Sequence, residues 1–174
     1  MSEKIISIFG AAGVEPGDAV YEMALETGRL LAEAGFTIAN GGYGGTMLAA
    51  AKGAAEAGGE TIGVTCSAFK NSRANEYIVR EVTAASLDER LDTLIKIGQA
   101  YVVLAAGGTG TLLELAKVWE LKNKGFLEKD KPIILVGDFW EPLLKLIESQ
   151  DGKSVGHVKV AKDPKEAVDL LIGL

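Results

Sequence analysis

The sequence alternates short apolar runs with segments whose apolar residues recur at helical spacing, and this alternation limits the folds open to the chain. Strand patterns at Ile5–Phe9, Phe36–Ala39 and Tyr101–Ala105 each precede a glycine-containing loop and then a helical pattern. Strands joined through helices of this length pair in parallel by right-handed crossovers. The sequence therefore predicts an α/β fold with an open, doubly wound, mainly parallel sheet and helices on both faces.

The remaining segments continue the same pattern toward the carboxyl terminus. A polar loop follows the third predicted strand, and Asp163 with Pro164 has the N-cap and first-turn chemistry that opens a helix. The other predicted strands are 61–65, 77–82, 132–136 and an edge strand 157–160, and the predicted helices are 18–34, 46–57, 86–98, 111–124 and 139–149.

Length and composition predict one domain, residues 1–174, with a sizeable apolar core. The net charge of −6 argues against a protein that binds nucleic acid polymers irrespective of sequence, since that binding needs clustered Lys and Arg. Cys66 is the only cysteine, so no intrachain disulfide is expected. Neither a signal peptide nor a membrane-spanning run is apparent, and a cytoplasmic protein without membrane contact is predicted.

The run Gly107, Gly108, Thr109, Gly110 and Thr111 leads from an apolar strand into a helix. Such a loop lets backbone N–H groups converge on an anion, and the helix N-terminus adds partial positive charge. The run lacks both the spacing of the dinucleotide fingerprint and the lysine of a P-loop. We therefore predict a site for the phosphate of a mononucleotide.

Glu114 follows this loop by one helical turn, at the level of the ribose of a nucleotide bound there. A carboxylate in that position suits cleavage of an N-glycosidic bond, because the transition state carries positive charge near the anomeric carbon. The alternative is purely structural. Thr111–Glu114 also has the pattern of a capping box, in which the threonine caps the helix and the glutamate reaches back to it.

Arg90 lies in the first turn of the helix predicted for 86–98, behind a capping-box pattern at Ser86–Glu89. A guanidinium group offers the paired donors that a phosphate or ribose site needs. The alternative is an exposed surface arginine.

A second glycine-rich loop, Asn40–Gly45, also has two interpretations. In the first, Tyr43 lies over a base, and Gly42, Gly44 and Gly45 complete the pocket. In the second, the glycines only serve a tight turn with positive φ angles.

Two motifs in the right order resemble a known family. The signature PGGxGTxxE of the Rossmann-like Lonely Guy family corresponds to Ala106–Glu114. Upstream, its glycine-rich turn followed by G-x-M corresponds to Gly41–Met47, and its GG-x-x-x-GV to Gly58–Val64. The resemblance covers nearly the whole chain. Members of this family were long labelled possible lysine decarboxylases, and molybdenum-cofactor carrier proteins are among its relatives.

The resemblance implies a homodimer that hydrolyses nucleoside 5′-monophosphates to a base and ribose 5-phosphate, without a cofactor or metal. The essential Arg and Glu of the family correspond to Arg90 and Glu114, and Met47 joins the nucleotide-binding residues. Apolar helix surface at Trp119 and Trp140, with neighbouring apolar residues Leu115 and Val118, is also consistent with an oligomer.

This chain departs from the family pattern at three positions. Ala106 replaces the signature proline, Leu113 replaces the first residue of a tandem Glu-Glu, and Leu91 replaces the lysine of an Arg-Lys pair. A non-catalytic carrier of a nucleotide or molybdenum cofactor is therefore the alternative function. Lysine decarboxylation is not expected, because the lysines at 52, 96 and 117 lie on predicted helices and not in a pocket for pyridoxal phosphate.

Overall fold

The computed structural model describes residues 3–70, 72–128 and 131–174, which form seven strands and seven helices. The strands are β1 (Ile5–Phe9), β2 (Thr37–Asn40), β3 (Thr61–Cys66), β4 (Arg80–Ala84), β5 (Ala100–Val103), β6 (Ile133–Val136) and β7 (Val158–Ala161). The helices are α1 (Ala19–Glu33), α2 (Thr46–Glu56), α3 (Leu87–Ile97), α4 (Thr109–Asn123), α5 (Glu141–Gln150), α6 (Gly152–Val155) and α7 (Pro164–Asp169).

The strands form one sheet in the order β4-β3-β2-β1-β5-β6-β7, and every neighbouring pair is parallel. From β1 the chain winds outward through β2 and β3 to β4, and from β5 it winds the other way through β6 to β7. The predicted doubly wound sheet is thus confirmed. The direction of winding switches between β1 and β5, where open α/β sheets bind their ligands.

The alternating side chains of the central strands divide the core between the two faces of the sheet. Ile6 and Ile8 of β1 pack with buried residues of α1, α2 and α7. Phe9 faces the other way with Tyr101 of β5, their ring centroids 6.1 Å apart, and joins buried residues of α3 and α4. Because strand side chains point alternately to opposite faces, both faces need a helical cover, and both have one.

Helices α1 and α2 approach each other so closely that only glycine fits at two points of contact. A Cβ on Gly28 would lie 2.0 Å from the carbonyl oxygen of Ala50, and a Cβ on Gly53 would lie 2.0 Å from that of Leu25. Atoms at that separation overlap heavily, so backbone packs directly on backbone. These two helices follow β1 and β2, whose loops line the candidate site described below.

Five predicted boundaries were wrong by more than one residue: both ends of β4, the end of β5, and the starts of α4 and α5. The strand predicted from Tyr77 begins only at Arg80, because the hydroxyl of Thr61 donates to the carbonyl of Tyr77 and accepts from the amide of Val79, which holds these residues in a turn. Helix α4 begins at Thr109, two residues before the predicted start.

The chain itself buries the four apolar side chains for which an oligomer surface was predicted, those of Leu115, Val118, Trp119 and Trp140. Leu115 and Val118 are fully buried, and the indole N–H groups of Trp119 and Trp140 donate to the carbonyls of Ser154 and Leu104 at 2.8 and 2.9 Å. The oligomer argument based on these four side chains was therefore wrong, since one subunit already buries them. No helix among the described residues combines the length and the apolar character that crossing a membrane requires.

Candidate functional site

Three loops meet over the carboxyl ends of β1, β2 and β5, at the switch point of the sheet. The amide and the hydroxyl of Thr46 both donate to the carbonyl of Ala11, at 2.8 and 2.9 Å, which ties the loop after β1 to the start of α2. The cavity between the loops has a volume of about 470 Å³. The residues that line it are Gly10, Ala11, Ala12, Gly13, Tyr43, Met47, Phe69, Leu87, Arg90, Gly108, Thr109, Gly110, Thr111 and Glu114.

The N-terminus of α4 forms one wall of the cavity, with its first amides available to an anion. Gly108 is the N-cap residue, with extended backbone and no side-chain cap, and its carbonyl accepts the first helical hydrogen bond from Leu112 at 2.9 Å. The amides of Thr109 to Thr111 precede that bond and have no acceptor within the helix. The capping-box alternative was wrong, because Thr111 is the third residue inside the helix and does not cap it.

Ala106, at the start of this loop, has a φ angle of 58°, the one positive φ of a non-glycine residue in the described ranges. Proline cannot adopt that angle, because its ring holds φ near −65°. The loop therefore differs in backbone conformation from one that begins with the signature proline. Gly107 next to it is packed against Thr111, whose Cβ would lie 2.4 Å from a Cβ at position 107.

Arg90 is buried beneath the cavity, so the surface alternative was wrong. Its side chain is 8% exposed, its Nε donates to the carbonyl of Val64 at 2.7 Å, and its Nη2 donates to the carbonyl of Gly41 at 3.1 Å. The predicted N-cap of α3 is confirmed: the amide of Glu89 donates to the hydroxyl of Ser86 at 3.1 Å. This cap fixes the start of α3, and Arg90 lies in the first turn of that helix.

Two aromatic rings cover the Arg90 guanidinium. Its central carbon lies 5.4 Å from the ring centroid of Tyr43 and 5.8 Å from that of Phe69, within the range of cation–π attraction. The Tyr43 ring is held in place because its hydroxyl accepts a hydrogen bond of 2.7 Å from the amide of Cys66. The loop after β2 thus supplies an aromatic surface to the cavity through Tyr43.

Glu114 is the only acidic residue among the described residues that line the cavity. Burial raises the pKa of its carboxyl from 4.5 to about 7, and the positive charge of Arg90 opposes that rise. A carboxyl with a pKa near neutrality exists in both protonation states under physiological conditions. It can therefore take up and release a proton during a reaction.

The glycines of the second loop mainly serve the turn. Gly42 and Gly45 have φ angles of 77° and 63°. A Cβ on Gly45 would lie 2.5 Å from the carbonyl oxygen of Ala11, and one on Gly42 would lie 3.2 Å from the Cα of Gly63. Gly42, Gly44, Gly45 and Gly107 lie outside the set of residues that line the cavity. The tight-turn alternative thus describes the structural role of Gly42 and Gly45.

A second, larger cleft of about 860 Å³ lies past the ends of β6 and β7. Its rim carries the carboxylates of Asp138, Glu141 and Glu166 against the single amine of Lys162. This excess of negative charge disfavours a phosphate. The smaller cavity, with Arg90 and the first amides of α4, has the electrostatics that an anionic ligand needs.

Apart from Gly10–Gly13 in the loop after β1, two residues of the cavity were not among the predicted site residues. Phe69 comes from the polar loop after β3, and Leu87 is the first residue of α3. A single phenylalanine in a polar loop has no periodicity that would mark it, and only the tertiary fold brings it to Tyr43. The ring centroids of Phe69 and Tyr43 are 5.9 Å apart, although the two residues are distant in sequence.

The chain is similar in sequence to several known proteins. The family model described as "SLOG cluster4 family" matches residues 3–168. An uncharacterised protein of Archaeoglobus fulgidus is 28% identical over 76% of this chain and 83% of its own length. A cytokinin riboside 5′-monophosphate phosphoribohydrolase of Mycobacterium tuberculosis is 35% identical over 68% of this chain, but the match spans only 63% of that enzyme.

A solved structure resembles the chain over nearly its full length. The molybdenum cofactor carrier protein of Chlamydomonas reinhardtii superposes with a TM-score of 0.78 and 28% identity, covering 98% of this chain and 96% of the carrier. The predicted resemblance to the Lonely Guy family and its carrier-like relatives is therefore confirmed.

Proposed function

The chain belongs to the SLOG cluster4 family, and from that membership and the chemistry of the cleft we propose that it hydrolyses nucleoside 5′-monophosphates at the N-glycosidic bond. The products are a free base and ribose 5-phosphate. The phosphoribohydrolase of M. tuberculosis, 35% identical over the matched region, supports this reaction class.

The observation that carries the proposal is the position and acidity of Glu114. It lines the same cavity as the first amides of α4 and as Arg90, and its pKa is about 7. A carboxyl that only stabilised the fold would gain from being exposed or paired, whereas this one is desolvated beside a cavity. Groups perturbed in this way concentrate at catalytic sites.

In the proposed complex, the phosphate lies at the N-terminus of α4, against the amides of residues 108–111. The helix dipole and the unpaired amides favour a doubly negative group there. Glu114 lies one turn further along the same helix and faces the ribose. The guanidinium of Arg90 retains donors beyond those that bond to Val64 and Gly41, and these orient the phosphate or the ribose.

In the proposed reaction, ionised Glu114 accepts a proton from a water molecule while the water oxygen bonds to C1′ of the ribose. The bond between C1′ and the base nitrogen breaks, and its electron pair leaves with the base. Glu114 then returns the proton to the base, so no net charge is created. The carboxylate also stabilises the positive charge that develops at C1′ in the transition state.

The test is a panel of AMP, GMP, CMP and UMP incubated with the full chain, with free base and ribose 5-phosphate measured by chromatography. We expect Glu114→Gln to lower the rate at least about 100-fold while AMP binding is retained, because a general acid–base group contributes about 10²–10⁴-fold. Glu148→Gln, at an exposed position on α5, is the matched control. Absence of free base from every nucleotide would refute the hydrolase.

The second candidate is a carrier that binds a phosphorylated ligand, such as the molybdenum cofactor, without turning it over. Leu113 favours it: this side chain occupies the position of a glutamate in the tandem pair of the family and leaves one carboxylate in the cleft. The match to the Chlamydomonas carrier over 96% of its length also favours it. Tight binding of the panel without any product is the outcome that a carrier predicts.

The homodimer implied by the family resemblance belongs to the same proposal. Leu112 and Leu113 of α4 are 39% and 43% exposed, next to the cavity wall, and offer an apolar surface for a second copy. We expect a sedimentation mass near twice 18.2 kDa. A monomer at micromolar concentration would contradict this part of the proposal.

A further inference from the structure

The side chains of Phe69, Leu87 and Met47 form an apolar end of the cavity, and Phe69 is the largest of them. We propose that Phe69 stacks on the flat ring of the ligand and makes the site selective for large ring systems, with little discrimination among their exocyclic groups. The inference rests on the proposed function, which supplies a nucleotide as the ligand.

The first step is the exposure of Phe69. Its side chain is 39% exposed although it lines a cavity, so a large apolar ring faces solvent at the place where a ligand would lie. Leu87, also in the lining, is 45% exposed. Covering such surface with a flat ring removes it from water, and stacking of a base on an aromatic side chain adds further attraction.

The second step is that the support behind Phe69 is already in place. Its ring lies against Tyr43, at an interplanar angle of 41° and a centroid distance of 5.9 Å. Tyr43 is fixed at both ends, because its hydroxyl accepts from the amide of Cys66 and its carbonyl accepts from the Asn75 side chain at 2.8 Å. The guanidinium of Arg90 lies over both rings. Little ordering is therefore needed at this end when a ligand binds.

The third step concerns the polar groups at the apolar end. Phe69, Leu87 and Met47 offer no strong donor or acceptor, and the hydroxyl of Tyr43 is engaged by the amide of Cys66. A site rejects the wrong base strongly when its own buried polar groups would be left unpaired. The one such group among the described side chains at this end is the Arg90 guanidinium, whose remaining donors the proposed function assigns to the phosphate or the ribose. Stacking area then decides the preference, and a purine offers more area than a pyrimidine.

The experiment measures binding and not turnover, so it stands apart from the test of hydrolysis. In a Glu114→Gln background, affinities for AMP and for ribose 5-phosphate are measured by calorimetry. We expect Phe69→Ala to weaken AMP binding about 10-fold or more, as the loss of one base stack does, and to leave ribose 5-phosphate binding unchanged. Phe69→Trp restores AMP binding because it keeps an aromatic face. Phe126→Ala, which removes a 77% exposed ring outside the cavity, is the matched control.

The outcomes separate the two proposals. AMP binding that is insensitive to Phe69→Ala, or equal weakening of AMP and ribose 5-phosphate, overturns the stacking role alone. A difference above about 10-fold between AMP and GMP overturns the lack of discrimination, since one well-placed hydrogen bond to a base edge has that effect. Failure of the parent protein to bind any nucleotide or ribose 5-phosphate overturns the proposed function as well.

Discussion

Replacing Glu114 with glutamine is expected to stabilise the fold at alkaline pH, although the same change removes the proposed catalytic group. Burial raises the pKa of the carboxyl from 4.5 to about 7 in the folded chain. Between these values the folded protein holds a proton that the unfolded chain releases, so the free energy of unfolding falls as the pH rises through this window. Glutamine resembles the protonated carboxyl and does not carry this penalty.

The magnitude follows from the two pKa values. The rise from 4.5 to about 7 corresponds to a full penalty of about 3 kcal/mol above neutrality, at 1.36 kcal/mol per pKa unit. The gain from Glu114→Gln is therefore about 1 kcal/mol at pH 5.5 and about 3 kcal/mol at pH 8.5. For a domain of this length, the larger gain raises the melting temperature by about 6–12 °C.

Urea unfolding followed by circular dichroism at pH 5.5 and pH 8.5 measures both gains. Glu148→Gln, at an exposed position on α5, controls for the general effect of removing one negative charge from an acidic protein. Two results would show that Glu114 is not desolvated in the folded chain. One is a difference in the free energy of unfolding between Glu114→Gln and the parent that is the same at both pH values. The other is a Glu114→Gln protein that is less stable than the parent at pH 8.5.

Three further substitutions test the loops and the arginine beneath them. We expect Arg90→Met to lower the free energy of unfolding by at least about 2 kcal/mol in urea titrations, because the carbonyls of Val64 and Gly41 lose their donor at about 1–3 kcal/mol each; an unchanged midpoint would contradict this. Ala106→Gly should raise the free energy of unfolding by about 1 kcal/mol in the same titrations, since glycine adopts a positive φ without strain, and a lower value would argue against that backbone angle. Gly110→Ala should not lower the melting temperature, because a Cβ there meets nothing within 4 Å and alanine favours the helix, yet it should weaken ribose 5-phosphate binding in calorimetry. Unaltered affinity would exclude close contact between this part of the loop and the phosphate.

Local pattern was enough to predict the architecture. Strand and helix periodicity, with glycines at the ends of the helices, predicted the parallel sheet and the order of all the described elements except the short helix α6. Both signals depend on residues close in sequence. The helix cap at Ser86 and the glycine loop before α4 were predicted from the same kind of local signal. Boundaries failed where a distant side chain intervened, as Thr61 does at the turn before β4.

The environment of the site residues could not be predicted in the same way. Arg90 is buried because it bonds to Val64 and Gly41, which are 26 and 49 residues away, and a local pattern of charge carries no sign of such contacts. Phe69 reaches the cavity through a loop without periodicity. Trp119 was assigned to a surface because periodicity marks an apolar face of a helix without identifying what covers it.

The glycine contacts between α1 and α2 determine how the cleft can respond to a ligand. Gly28 and Gly53 bring the two backbones together, and Thr46 joins the loops at their N-terminal ends through Ala11. These contacts tie the two loops to the two helices. Because folding already orders the two loops, a ligand that binds against them need not order them again. Adaptation to ligands of different size is then left to the part of the lining outside these two loops, such as the N-terminus of α4.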